Sequence, residues 1–397
     1  MNEKMLGLGV SRSVIREIFE YAKLRKAEIG NDKVFDFSIG NPSVPAPESV
    51  KNELISILEN TDPVSLHGYT SAQGDTSVRQ AISDFIEKTY NIGKEPISSP
   101  DLIYITSGAA AALTCSLTAL LNKDDEVIVL APFFPEYRVF VERTGAKLVP
   151  VMCNNETFRP DFDKIKSAIN EKTVAVIVNS PNNPTGVVYP EEDIKKLSDI
   201  LSKKSKEIGH PIYIIADEPY RELVYGNTSV PYIPNFYDNT IVCYSLSKSL
   251  SLPGERIGYV SVSPRAKEAK NIYLSVCGAG RALGFVCATS MFQFMMARCL
   301  GQTSDISVYE NNRNILCSAL RDNGYTVVSP DGAFYLFVKA LESDAKAFCE
   351  KAKEFELLLV PSDDFGCEGY VRIAYCTSEK QIRDSLPAFK KLAESYK

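Results

Sequence analysis

The sequence predicts an α/β protein: a three-layer large domain on a mostly parallel seven-stranded sheet, with a smaller α+β domain beside it. Three observations carry this. From about residue 100, short apolar runs alternate with helical patterns, as strands of a parallel sheet alternate with their crossover helices. Beyond about residue 302 that alternation gives way to a mixture of helices and strands. The length of 397 residues also exceeds one ordinary core, since domains average roughly 150 residues.

In chain order, Ile15, Ile18, Phe19 and Ala22 recur at helical spacing and predict an amphipathic helix over residues 13–29, ended by Gly30 and Asn31. Residues 34–37 are a short strand candidate. They run into Gly40-Asn-Pro-Ser-Val-Pro-Ala-Pro47, where three prolines force an extended path before a helix opening at Pro47 and Glu48. This stretch reads as an N-terminal arm that crosses the protein. Residues 66–74 make a glycine-bounded loop, followed by a helix capped by Asp75 with Val78, Ile82, Phe85 and Ile86 on one face. Seven strand-like runs follow, at 102–106, 126–130, 147–151, 174–179, 212–216, 241–244 and 257–260. The apolar stretch 282–297 is interrupted by Thr289, Ser290 and Gln293 and is shorter than a membrane span, so it predicts a buried or interface helix. The last block predicts helices at 304–322, 343–355 and 378–395 and strands at 325–328, 333–339 and 370–374. The expected division is therefore residues 1–48 as arm and part of a small domain, 49–290 as large domain, and 291–397 as C-terminal small domain.

Composition excludes several functions. A formal charge of −6 without a dominant Lys/Arg run offers no basic face to nucleic acid. Ten cysteines include no Cys-x-x-Cys pair and many lie inside apolar runs; they read as small hydrophobes of a reduced cytoplasm. Two histidines, His67 and His210, leave little room for zinc or Ser-His-Asp chemistry, and no metal is expected. The opening Met-Asn-Glu-Lys-Met lacks the basic segment and apolar core of a signal peptide, so a cytoplasmic location is expected.

In an open parallel sheet, ligands bind beyond the carboxyl ends of the strands. The residues there are Ser107-Gly108-Ala109, Pro132-Phe133-Phe134, Ser180-Pro-Asn-Asn-Pro-Thr-Gly186, Asp217-Glu-Pro-Tyr220 and Ser245-Leu-Ser-Lys248, and all are expected at one crevice. Ser107-Gly108 opens a helix whose free N–H groups attract an anion, although an ordinary strand-to-helix turn gives the same pattern. Asp217 ends a buried run, where a carboxylate needs a cationic partner unless it caps a helix. Arg372 breaks a strand with a charge; it is either an outward-facing residue or a carboxylate-binding fork.

Taken together, Asn182-Asn-Pro-Thr-Gly186, Asp217-Glu-Pro-Tyr220 and Ser245-Leu-Ser-Lys248 followed by Gly254-Glu-Arg-Ile-Gly258 resemble the fold type I aminotransferases of pyridoxal 5′-phosphate (PLP), class I/II, the aspartate aminotransferase superfamily. The match runs from Gly40 to Arg372. The resemblance implies transamination between an L-amino acid and a 2-oxo acid by a ping-pong route through pyridoxamine phosphate. It implies that Lys248 bonds the cofactor and later moves the substrate Cα proton, and that Asp217 pairs with the ring nitrogen. Asn183 and Tyr220 fall to the phenolic oxygen, and Phe134 to the ring face, with Phe133 as the alternative. Ser107, Gly108, Ala109, Ser245, Ser247 and Arg256 fall to the phosphate. Tyr69 is expected at the neighbouring subunit's phosphate, which makes the site a shared one in a homodimer. Arg372, helped by Asn183 and Gly40, is expected to grip the substrate carboxylate.

Ala109-Ala110-Ala111 stands where some acidic-substrate members carry a basic residue, so Arg281 is the remaining candidate for a second carboxylate; it could equally cap or line an interface helix. Arg281 lies in Gly278-Ala-Gly-Arg-Ala-Leu-Gly284, which imitates a dinucleotide loop but has no βα repeat after it. Three other activities are weighed. A PLP-dependent β-eliminating lyase is disfavoured because such enzymes often show His where Asn182 stands. A PLP-sensing regulator lacks room for a DNA-binding domain in the thirty or so residues before the first strand. A nucleotide-dependent dehydrogenase is the remaining class; it predicts nicotinamide binding and no visible absorption from a lysine-bound cofactor, which a spectrum of the purified protein decides.

Overall fold

The computed structural model describes residues 1–10 and 14–397. Among the described residues the large sheet has seven strands, in the order Ile103–Thr106, Gly258–Val262, Thr240–Ser245, Tyr213–Asp217, Thr173–Asn179, Glu126–Ala131 and Lys147–Met152. Gly258–Val262 runs antiparallel to both neighbours and the remaining pairings are parallel. All seven coincide with the expected runs to within two residues.

Side chains alternate across these strands with a period of two, so each strand feeds two cores. Ile128, Val176, Ile214 and Val242 face one core, which holds Val78, Ile82, Leu197 and Met295 from helices. Val127, Ala175, Ile215 and Cys243 face the other, which holds Leu117, Val141 and Val276. Helices cover both faces, and this is why the strands are apolar on both sides and read as continuous hydrophobic runs.

A third core lies outside the large sheet. It joins Tyr309 and Leu316 of Ser307–Asp322, Phe348 of Ala345–Lys353 and Phe389 of Glu379–Glu394 to Leu336, Val371 and Ile373. The strands here are Tyr335–Lys339 and Val360–Pro361, each antiparallel to Tyr370–Ala374. Phe35–Asp36 pairs in parallel with Leu357–Leu358, which ties the start of the chain to this late segment.

The structure departs from the expected elements in several places. Residue 13, the expected helix start, lies outside the described residues, and the helix is described from Val14 to Ile29. An exposed helix, Glu3–Val10, precedes it and was not foreseen. The expected strand 325–328 is reduced to a single bridge from Val327 to Val338. The apolar stretch 282–297 is not one helix: it holds only the last residue of one helix, a non-helical segment over 283–289, and most of a second helix. Ala269–Ala282 ends before Gly284, whose φ of +81° breaks the helix, and Ser290–Arg298 starts afresh, burying Met295 and Met296 in a large-sheet core. Gly278 and Gly280 lie inside Ala269–Ala282, and Gly280 lets the Tyr104 hydroxyl approach where a Cβ would sit at 2.1 Å. That segment is therefore helix and not a nucleotide loop. Among the described residues no helix is long and apolar enough to cross a membrane.

Candidate active site

Parallel strands end on the same side of a sheet, so Thr106, Ala131, Asn179, Asp217 and Ser245 share one edge. Gly258 begins the antiparallel strand opposite both Thr106 and Ser245, which brings Arg256 to that edge from the other direction. A cavity of about 270 Å³ opens there, lined by Asp217, Tyr220, Ser245, Ser247, Lys248, Arg256 and Arg372, with Phe134 and Asn183. Gly40 and Ala109 line it too. Of the expected set, Ser107 and Gly108 do not line the cavity itself but abut Arg256 at its rim, and Tyr69 stands apart, 90% exposed in the loop after helix Pro63–His67. Arg281 is exposed in the last turn of Ala269–Ala282 and does not line the cavity.

One end of the cavity is a hydroxyl and guanidinium cup. Ser245 Oγ donates to Ser247 Oγ at 3.1 Å, and Arg256 Nη1 reaches Ser247 Oγ at 3.5 Å. Arg256 is fixed by donating to Pro253 O at 3.0 Å and to Ser107 O at 3.3 Å. Gly108 caps helix Ala109–Leu120 with φ +82°, and a Cβ there would stand 2.5 Å from the Arg256 guanidinium. Free N–H groups of a helix start and an arginine thus face the same space, as a bound anion requires.

At the centre, Lys248 Nζ donates to Gly40 O at 2.7 Å. Burial pushes its ammonium down to about 8; Arg372 and Arg256 act the same way and the Cys376 thiol opposes them. Asp217 is 5% exposed, and burial lifts its carboxyl to about 7 against the opposing hydrogen bond from Tyr137. The cation expected beside it is absent among the described residues; instead the Tyr137 hydroxyl donates to Oδ2, and buried Oδ1 has no partner. No helix follows Asp217, so it is not a cap. Asn179 binds this turn together, donating to Asp217 O and accepting from Asn183 N, both at 2.8 Å.

At the far end, Arg372 is 2% exposed and faces inward. It donates to Asn183 Oδ1 at 3.2 Å and to Ser38 O at 2.5 Å, while its buried Nε has no partner. Tyr335 and Arg372 lie on one face of the small sheet, and the guanidinium sits 4.8 Å from the Tyr335 ring centre. The Tyr335 and Tyr220 hydroxyls are 3.0 Å apart. Phe134 lines the cavity while Phe133, 1% exposed, packs in the core. Sequence reasoning missed Tyr137, Tyr335 and Asn179.

A part-buried lysine, a carboxylate with one oxygen free and an anion cup within a three-layer α/β fold suit an enzyme that works on amines with a phosphate-bearing group bound. The class I and II aminotransferase family model matches residues 32–389, and the chain belongs to that family, whose members depend on PLP. It is 31% identical over 390 residues to an aspartate aminotransferase of Thermotoga maritima, covering 96% of this chain and 97% of that one. It is 28% identical over 404 residues to an aromatic-amino-acid aminotransferase of Thermococcus litoralis, covering 98% and 97%. A crystal structure of an amino transferase from Eubacterium rectale superposes with a TM-score of 0.96 at 54% identity, covering 100% of this chain and 99% of that one. The residues present fit PLP. The orphaned Asp217 Oδ1 suits a ring N–H, and the cup at Ser245, Ser247, Gly108 and Arg256 suits a phosphate.

Proposed function

We propose that the protein moves the amino group of an L-amino acid to a 2-oxo acid by a ping-pong route, with the residues of the cavity in the following roles. The supporting observation is the meeting of a part-buried lysine, a carboxylate with one oxygen unpartnered and an arginine with Nε unpartnered in one cavity. Bound PLP supplies an electron sink for the charge left when the substrate Cα loses its proton. Ser107, Gly108, Ala109, Ser245, Ser247 and Arg256 hold the phosphate. Asp217 Oδ1 accepts from the ring nitrogen, Asn183 and Tyr220 take the phenolic oxygen, and Phe134 covers the ring. Arg372 binds the substrate carboxylate, its free Nε completing a fork, with Asn183 and the Gly40 backbone beside it. Lys248 anchors the cofactor, then holds and returns the Cα proton; an amine that titrates at about 8 is near the pH at which such a group works best.

Exposed Tyr69 supports a homodimer in which that side chain reaches the second copy's site. Ten free cysteines, all but Cys277 and Cys287 buried, support a reducing cytoplasm. The expected boundary at residue 48 is kept for the arm, and the second boundary, expected at residue 290, is proposed nearer residue 300; the packing of Ser290–Arg298 with the large-sheet core supports that shift. Aspartate and aromatic amino acids head the donor panel, following the relatives' names. With an amino donor alone, 2-oxo acid is expected to stop at one equivalent per site and to resume when a 2-oxo acid is added. Continuing release of ammonia would mean elimination instead.

A further inference from the structure

Tyr137 belongs to none of the motifs above, yet it touches two members of the site. It is 1% exposed on helix Glu136–Glu142. Its hydroxyl donates to Asp217 Oδ2, and its ring stands edge-on to Phe134 with centroids 5.6 Å apart. Burial holds the phenol well above its ordinary pKa, so the tyrosine is the donor and the carboxylate the acceptor. The other titratable groups facing this carboxyl are Glu218 and Tyr220 from its own strand end and Cys243 from the adjacent strand, and none brings a positive charge. Among the described residues, the Tyr137 hydroxyl is therefore what stabilises the Asp217 carboxylate.

We infer that Tyr137 is a positioning residue for the cofactor ring: it occupies Oδ2 so that Oδ1 alone faces the ring nitrogen, and its ring edge braces Phe134 against the ring face. This rests on the reading of Asp217 as the partner of the ring nitrogen. Two consequences separate it from simple packing. The effect of losing the hydroxyl must depend on the ring nitrogen, since only a protonated nitrogen draws on the carboxylate charge. It must also depend on pH, because a carboxylate without its donor takes up a proton at higher pH.

Binding of PLP to the cofactor-free full chain tests both, alongside a PLP analogue with CH in place of the ring nitrogen. Tyr137→Phe is expected to weaken PLP at least about tenfold, the lower end for a hydrogen bond to a charged group, and the analogue less than about twofold. On acidification its PLP affinity is expected to fall at higher pH than that of the wild type. Equal losses for both ligands overturn the inference and leave Tyr137 a packing residue. If wild type binds both ligands equally, the reading of Asp217 fails and the inference with it. Should the phenylalanine variant not fold, 3-fluorotyrosine at position 137 keeps the packing and strengthens the donor. PLP should then bind more tightly with the analogue unchanged, and an unchanged PLP affinity overturns the inference.

Discussion

Replacing Asp217 by asparagine is expected to stabilise the cofactor-free protein above pH 7 and to leave it nearly unchanged near pH 4. The carboxyl moves from 3.8 to about 7 through burial, roughly 3 units, or about 4 kcal/mol at 1.36 kcal/mol per unit. The folded-state pKa is raised, so between pH 4 and 7 the folded protein binds the extra proton and stability falls as pH rises through that window. The cost is complete above about pH 7 and absent below about pH 4. Asparagine keeps the shape without the charge, and the hydrogen bond that Tyr137 gives the ionised carboxylate is already contained in the value of about 7. The gain at pH 8 is then about 4 kcal/mol. Urea unfolding of cofactor-free wild type and Asp217→Asn at pH 5 and pH 8 measures it. With PLP added the order should reverse, because only the wild type gains the charged partner. A difference between the proteins that is the same at both pH values would refute the reasoning.

Two further outcomes follow from the ends of the cavity. Arg372→Lys removes a fork whose Nε is unpartnered, and should raise KM for the amino donor about 10- to 100-fold with a smaller change in kcat; steady-state kinetics on one donor decides it. Gly108→Ala meets both a φ of +82° and the Arg256 guanidinium at 2.5 Å, so it should cost about 1–3 kcal/mol of stability and weaken PLP binding, read by urea unfolding and by cofactor titration.

The large sheet was legible because its strands are buried on both faces and stand out as apolar runs, and because each chemical group follows a run directly. Asp217, Lys248 and Ser107-Gly108 could thus be placed on one edge before any contact was known. Arg256 was legible through its motif, and the antiparallel strand beginning at Gly258 explains why it arrives there. Tyr137 was not legible. It sits in Glu136-Tyr-Arg-Val-Phe-Val-Glu142, where nothing in spacing or charge marks it, and only the need of a buried Asp217 for some partner could have prompted a search. Tyr335 was hidden because an aromatic residue in a strand reads as core, and its register opposite Ala374, two residues from Arg372, is a tertiary fact. The break at Gly284 was missed because apolar composition on both sides masks one positive φ.

The central claim is that Lys248 moves the proton at the substrate Cα. Its most direct test is a single turnover with one amino donor, in which 2-oxo acid is counted per PLP-loaded site in wild type and in Lys248→Ala. The account predicts one equivalent from the wild type and essentially none from the variant over the same time, with PLP still held by the cup at Ser245, Ser247 and Arg256. Release of 2-oxo acid by Lys248→Ala at the wild-type rate would contradict it.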